Sequence, residues 1–124
     1  MLKEIMGFPQ KYALSLHKKV IRKGKEHEIR IDCTDLMILR WFVDFYPSME
    51  KKRVEGREFA WVSYSEVLEW LPILDISKEG CASRFRKLEE FGILEFYLLK
   101  QGGTFALYTF GPEYTNLVNA PWSE

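Results

Sequence analysis

Lys78, Arg84, Arg86 and Lys87 fall within ten positions of this chain, with Ser77 just before them and Ser83 among them. A guanidinium presents a planar fork that matches a phosphate or the edge of a guanine, and an ammonium neutralises a phosphate as a point charge. The serines are short donors that allow close approach. A second group, Lys18, Lys19, Arg22, Lys23 and Lys25, occupies eight positions around Gly24. These residue types suit anion recognition rather than bond making. Because the chain carries a net charge of +0, any pull on a polyanion must be local. It is uneven: the first thirty residues hold eight bases against three acids, a net of +5, which leaves −5 on the remainder. The competing reading is a solvated charged face with no partner. Glu79, Glu89 and Glu90 favour it, since carboxylates repel phosphate.

Residues suited to other chemistry lack the necessary spacing. Cys33 and Cys81, and His17 and His27, form no C-x-x-C or H-x-x-x-H pattern, so no metal site is expected. There is no Gly-rich phosphate loop and no G-x-S-x-G. Asp32 and Asp35 fit helix capping, and Glu89 and Glu90 fit a solvated helix face. The expectation is therefore a protein that is not an enzyme and uses no cofactor. Met1 to Gln10 lacks the apolar core of a signal peptide, and no apolar run approaches the length that spans a bilayer. The default is a cytoplasmic chain with free thiols and no membrane partner.

The elements that must position these cations follow from pattern. With 47% hydrophobic and 15% aromatic residues, the 124-residue chain supports one domain with its own core. Thr34 or Asp35 caps a helix, apolar nearly all round, that Pro47 stops at about Tyr46. Glu50 to Glu58 reads as a charged loop and Phe59 to Val62 as a short strand. Ser63 and Glu66 form a capping-box signature for a helix that ends before Pro72. Ser77 caps a third helix that runs to Phe91 and stops at Gly92, with Cys81, Phe85 and Leu88 as its buried stripe. Ile93 to Leu99 and Thr104 to Phe110 make a hairpin around Gly102-Gly103. The segment Pro9 to Ile21 reads either as a helix or as a strand returning into Glu28 to Ile31, with the hairpin favoured. The tail, residues 113–124, has few structural signals, and Ala120 to Glu124 is expected to be loose.

This order predicts a mainly α fold with a small antiparallel β-sheet: a winged helix-turn-helix, three-helix core plus β-hairpin wing. It forms a single domain over 1–124, with a basic extension (1–30), a core (31–112) and a tail (113–124). The Ser77–Phe91 helix is then the recognition helix. Its outward residues are Lys78, Glu79, Ser83, Arg86, Lys87 and Glu90, with Arg84 on the flank and Lys100 at the wing tip. The apolar wing strands cover the core or form a homodimer surface.

Residues 61–114 also resemble a known family. Trp61-Val62-Ser63-Tyr64, Leu71-Pro72-Ile73-Leu74, Ser77-Lys78, Ser83-Arg84-Phe85-Arg86-Lys87-Leu88-Glu89 and Gly92-Ile93-Leu94 carry the likeness. Lys100-Gln101-Gly102-Gly103-Thr104-Phe105 and Tyr108-Thr109-Phe110-Gly111 extend it. These motifs resemble the winged-helix domains of phage and prophage replication initiators and of DnaD-like primosomal proteins. The resemblance implies binding of double-stranded DNA, or assembly with replisome proteins. Such initiators usually continue into a second region, which this sequence does not show. Two further readings use the same elements: a protein-interaction module, and a transcriptional regulator.

Overall fold

The structure, a computed structural model, describes residues 4–121. Short strands β1 (Glu4–Ile5) and β2 (Phe8–Pro9) pair across Met6-Gly7 and lead into α1 (Gln10–Leu14). Strands β3 (His17–Arg22) and β4 (Lys25–Arg30) form a second, separate two-stranded sheet. Their two-residue turn holds Lys23 and Gly24 at φ 53° and 74°. Positive φ at both positions matches the twist of the flanking strands, and the glycine removes half the steric cost. Asp32 then opens α2 (Cys33–Phe45) with a complete capping box, in which Asp32 accepts from the Asp35 N–H and Asp35 accepts from the Asp32 N–H.

Strands β5 (Lys51–Val54) and β6 (Arg57–Trp61) follow, then α3 (Tyr64–Trp70), α4 (Lys78–Glu90), β7 (Leu94–Lys100), β8 (Thr104–Phe110) and α5 (Pro112–Asn119). The third sheet is antiparallel, in the order β5-β6-β8-β7. Just past the end of β8, the Gly111 N–H donates to the Ile93 carbonyl at 2.8 Å. A Cβ on Gly111 would sit 2.1 Å from the Gly92 oxygen, so only glycine allows the chain to leave β8 there.

This architecture corrects the expected one. The fold is α+β, with five α-helices and eight strands in three sheets among the described residues, not a three-helix core with a two-strand wing. The expected helices and the Ile93 to Phe110 hairpin are present at nearly the expected bounds. What overturns the fold class is the extra structure around them. Glu50 to Glu58 is not a loop: it holds β5 and the start of β6, joined by Glu55-Gly56 at φ 50° and 80°. Residues 113–120 are not an unstructured tail but mostly α5, with Pro112 in its first turn and Leu117 fully buried. Residues 122–124, expected to be loose, lie outside the described residues. The ambiguous segment is both alternatives in turn, a short helix and then a strand. The cap of α2 is Asp32, two residues before Thr34 and three before Asp35.

The core lies on one face of the four-stranded sheet. Phe42, Phe85, Leu88, Leu39 and Tyr108 are fully or almost fully buried, while Leu68 of α3 is half-buried. Phe85 is the hub: its ring lies 4.9 Å from Tyr108, 5.6 Å from Tyr64 and 6.4 Å from Phe42. The Tyr64 and Tyr108 hydroxyls bond each other at 2.9 Å, so neither polar group is left unpaired as its ring is buried. Truncating such a ring removes both buried area and the contacts around it. Phe85→Ala is expected to cost about 3–5 kcal/mol. A denaturation curve that overlays the wild type would show that this ring is not the hub.

Candidate nucleic-acid interface

In an antiparallel pair, residues directly opposite share a face of the ribbon. The β3–β4 register pairs Lys18 with Ile29, Val20 with His27, and Arg22 with Lys25 on one face. His17 with Arg30, Lys19 with Glu28, and Ile21 with Glu26 form the other. The first face thus carries three cations and no carboxylate. The second mixes signs and neutralises itself, with Lys19 to Glu26 at 3.2 Å and Arg30 to Glu28 at 3.6 Å.

The basic face turns toward α4. Lys18 Nζ donates to the Glu90 carbonyl at 2.6 Å and sits 5.5 Å from the Phe91 ring, and Arg22 pairs with the Glu90 carboxylate. Between ribbon and helix lies a cleft of about 620 Å³, lined in part by Arg22, Ser83, Arg84, Arg86, Lys87 and Glu90. The cleft therefore brings cations from both sequence clusters together.

The cations differ in how firmly they are held. Arg84 Nη1 donates to Asp32 at 2.6 and 2.8 Å and to Asp35 at 3.2 Å. Lys87 Nζ bonds Asp35 at 2.7 Å and the Arg30 carbonyl at 3.0 Å. Asp35 is fully buried, and both bases are largely covered. Burial pushes the Asp35 carboxyl up despite its bond to Lys87. Asp32 is held below the usual range: burial opposes this, but the Arg84 bond, the Asp35 N–H and the Lys87 charge together outweigh it. Burial works against the Arg84 charge too, and its two carboxylates still raise its pKa.

The other expected contact residues are placed differently. Arg86 is exposed in the cleft and makes no ion pair among the described residues. Lys23 and Lys25 stand exposed at the ribbon tip, while Lys19 is taken up on the far face. Ser77 caps α4, accepting from the Gly80 N–H at 3.0 Å. Ser83 is exposed within the cleft. Lys78, in the first turn of α4, and Lys100, at the end of β7, are exposed but do not line it. Sequence reasoning gave Asp32 and Asp35 only a capping role and missed their grip on α4. The signal was the matched spacing: two carboxylates three apart at a helix start, and two cations three apart on the flank of another helix.

Among the described residues no group of His, Cys, Asp and Glu is arranged to hold a metal ion, and no helix is long and apolar enough to cross a membrane. Cys33 is exposed and Cys81 buried, and burial pushes the Cys81 thiol up to about 11. No protein-family model, curated protein or solved structure matches the chain. Function has to be argued from the cleft itself.

Two expectations follow from the ionic cluster. Replacing Arg84 and Lys87 together by Ala leaves the buried Asp35 charge without a cation, and should cost about 3–5 kcal/mol of stability. An unchanged melting temperature would rule out that dependence. The two aspartates also act in opposite directions on acidification. Asp32, with its depressed pKa, gives stability that is lost as pH falls; Asp35, with its raised pKa, takes up its proton more readily when folded, which offsets that loss. Asp35→Asn should therefore steepen the fall of stability between about pH 5 and pH 3. A slope equal to or shallower than that of the wild type would show the signs to be wrong.

Proposed function

We propose that this protein binds double-stranded DNA, without catalysis, by holding one sugar–phosphate strand between the β3–β4 ribbon and α4. The observation that carries this reading is the segregation of charge on the ribbon. Lys18, Arg22 and Lys25 share the face turned to α4 with no carboxylate, and the carboxylates of the ribbon lie on the other face. A cleft of about 620 Å³ is too small to enclose a duplex. Ribbon and helix would instead straddle a backbone, and a major groove accepts either a helix or a two-stranded ribbon.

Exposure decides which cations are available. The Arg22–Glu90 pair is half-exposed, and such pairs contribute at most about 1 kcal/mol, so a phosphate can take the place of Glu90. Arg84 and Lys87 cannot be drawn away at that cost, because Asp35 would be left buried and unpaired. The working contacts in this reading are Lys23, Lys25, Arg22 and Arg86, with Ser83 as a close donor. Arg86, exposed on α4, is the residue placed to fork onto a guanine edge; the ribbon lysines position the backbone.

The setting rests on a narrower support. The resemblance of residues 61–114 to phage replication initiators favours DNA at a replication start, in the cytoplasm, over a transcriptional operator. The test is anisotropy of labelled duplex DNA across a salt series. Changing Lys23, Lys25 and Arg86 to Gln should weaken binding and lower the salt slope by about 2, close to one for each lysine contact to phosphate, while the loss of Arg86 reduces the preference among sequences. These exposed positions should leave the melting temperature within about 1 °C. Absence of wild-type binding at low salt, or an unaltered slope in the triple variant, would remove the reading.

A further inference from the structure

We infer that the outer face of the four-stranded sheet is a docking surface for a second copy of this chain. Every helix with a residue in the core contributes it on the sheet face that bears Ala60 and Tyr108. The opposite face carries Phe59, Trp61, Tyr97, Leu99, Phe105 and Leu107, by the alternation and register of β6, β8 and β7. Phe59 and Leu107 are buried yet belong to no part of the core cluster. Their cover is their own neighbours: Trp61 packs edge-on against Phe105 at 5.5 Å, and Phe59 against Tyr97 at 6.3 Å. Trp61 and Tyr97 remain 40% and 41% exposed. A sheet with apolar residues on both faces needs a second layer on each, and here only one is present among the described residues.

The charges at the edges of this face choose the occupant. The β5–β6 register sets Lys52 beside Phe59, and the β6–β8 and β7–β8 registers carry that row on through Thr109 to Glu95. One row therefore begins with a cation at the β5 edge and ends with an anion at the β7 edge; within one copy Lys52 pairs with Glu50 at 3.6 Å and Glu95 with Arg57 at 2.6 Å, exposed pairs that exchange at little cost. A two-fold axis in the plane of contact, parallel to the strands and between β6 and β8, exchanges these edges without moving the row along the strand. Lys52 of each copy then faces Glu95 of the other, and Trp61 covers Leu107 of the other. The face is complementary to itself, as a symmetric pair requires. A polyanionic strand fits less well, since Glu95 stands on this face and already holds Arg57 at 2.6 Å.

Sedimentation of the full chain without DNA tests this separately from the cleft. The wild type is expected as a concentration-dependent dimer. Tyr97→Ala should raise the dimer dissociation constant about thirtyfold, as for an aromatic anchor. Lys52→Glu should weaken the dimer through like-charge repulsion, and Lys52→Glu combined with Glu95→Lys should restore it, with circular dichroism confirming the fold of each variant. Recovery in the double variant is something a merely structural role for these residues would not produce. A wild type that stays monomeric, a Tyr97→Ala dimer of unchanged strength, or failure of the double variant to recover would each overturn the proposal. So would a monomer whose tryptophan fluorescence is quenched by single-stranded oligonucleotide in the wild type but not in Trp61→Phe, which would assign the face to base stacking.

Discussion

Asp35 sits at zero exposure in the first turn of α2, and a buried carboxylate has to be met by something. Lys87 and Arg84 meet it from α4, and the same two side chains reach Asp32 and the Arg30 carbonyl. The end of the β3–β4 ribbon, the start of α2 and the middle of α4 are thereby fixed to one another at a single point. Relative to apolar residues of the same volume, a buried ion pair gains little stability; removing one partner is costly. Its consequence is therefore positional: the ribbon has no large apolar face of its own to dock with, and this cluster holds its base against α4.

The aromatic core supports the same arrangement from the other side. Phe85 lies one residue from Arg84, so the ring that anchors α4 to Tyr108 and Phe42 also fixes the direction in which the Arg84 guanidinium leaves the helix. One residue further on, Arg86 points away from the carboxylates and stays exposed. Three successive residues of α4 thus hold the ionic cluster, the core and the cleft. Helical periodicity sends neighbours about 100° apart, which lets adjacent residues meet different surroundings.

What could be read in the sequence was whatever a local signal specified. Ser77, Cys81, Phe85, Leu88 and Gly92 give α4 a cap, a stripe and a stop, and the structure places all of them so. Gly102-Gly103 between two apolar runs gives β7 and β8. Strand β5 was hidden because Lys51-Lys52-Arg53 reads as loop; a sheet edge favours charge, which blunts further pairing, and so defeats a search for alternating apolar residues. The short α5 buries only Leu117, too little to register as a stripe, although Pro112 in its first turn marked its start. Together with the β1–β2 pair and α1, these omissions account for the wrong fold class. The site divides the same way. The basic ribbon was visible as a charge cluster, but the commitment of Arg84 and Lys87 to Asp35 depends on residues about fifty positions apart, and no local pattern reports that.

A net charge of zero conceals how the charge is arranged. Carboxylates pair with Lys19 and Arg30 on the far side of the ribbon and with Arg84 and Lys87 at its base, while Lys23 and Lys25 at the ribbon tip and Arg86 in the cleft make no ion pair among the described residues. Position within the fold, not total charge, then sets where a phosphate backbone would bind in the proposed reading. The sheet adds a constraint on how two such clefts could act together. Helix α4 lies between the cleft and the sheet, since Phe85 faces Tyr108 while Ser83 and Arg86 face the ribbon. Pairing two copies through the outer sheet faces puts both clefts on the outside of the dimer, pointing apart. A symmetric reader of one palindromic site needs its two reading elements on the same side, about one helical turn of DNA apart. A dimer built through this sheet would instead hold two separate duplex segments, one at each end, which is an architecture for bringing DNA together rather than for reading an operator.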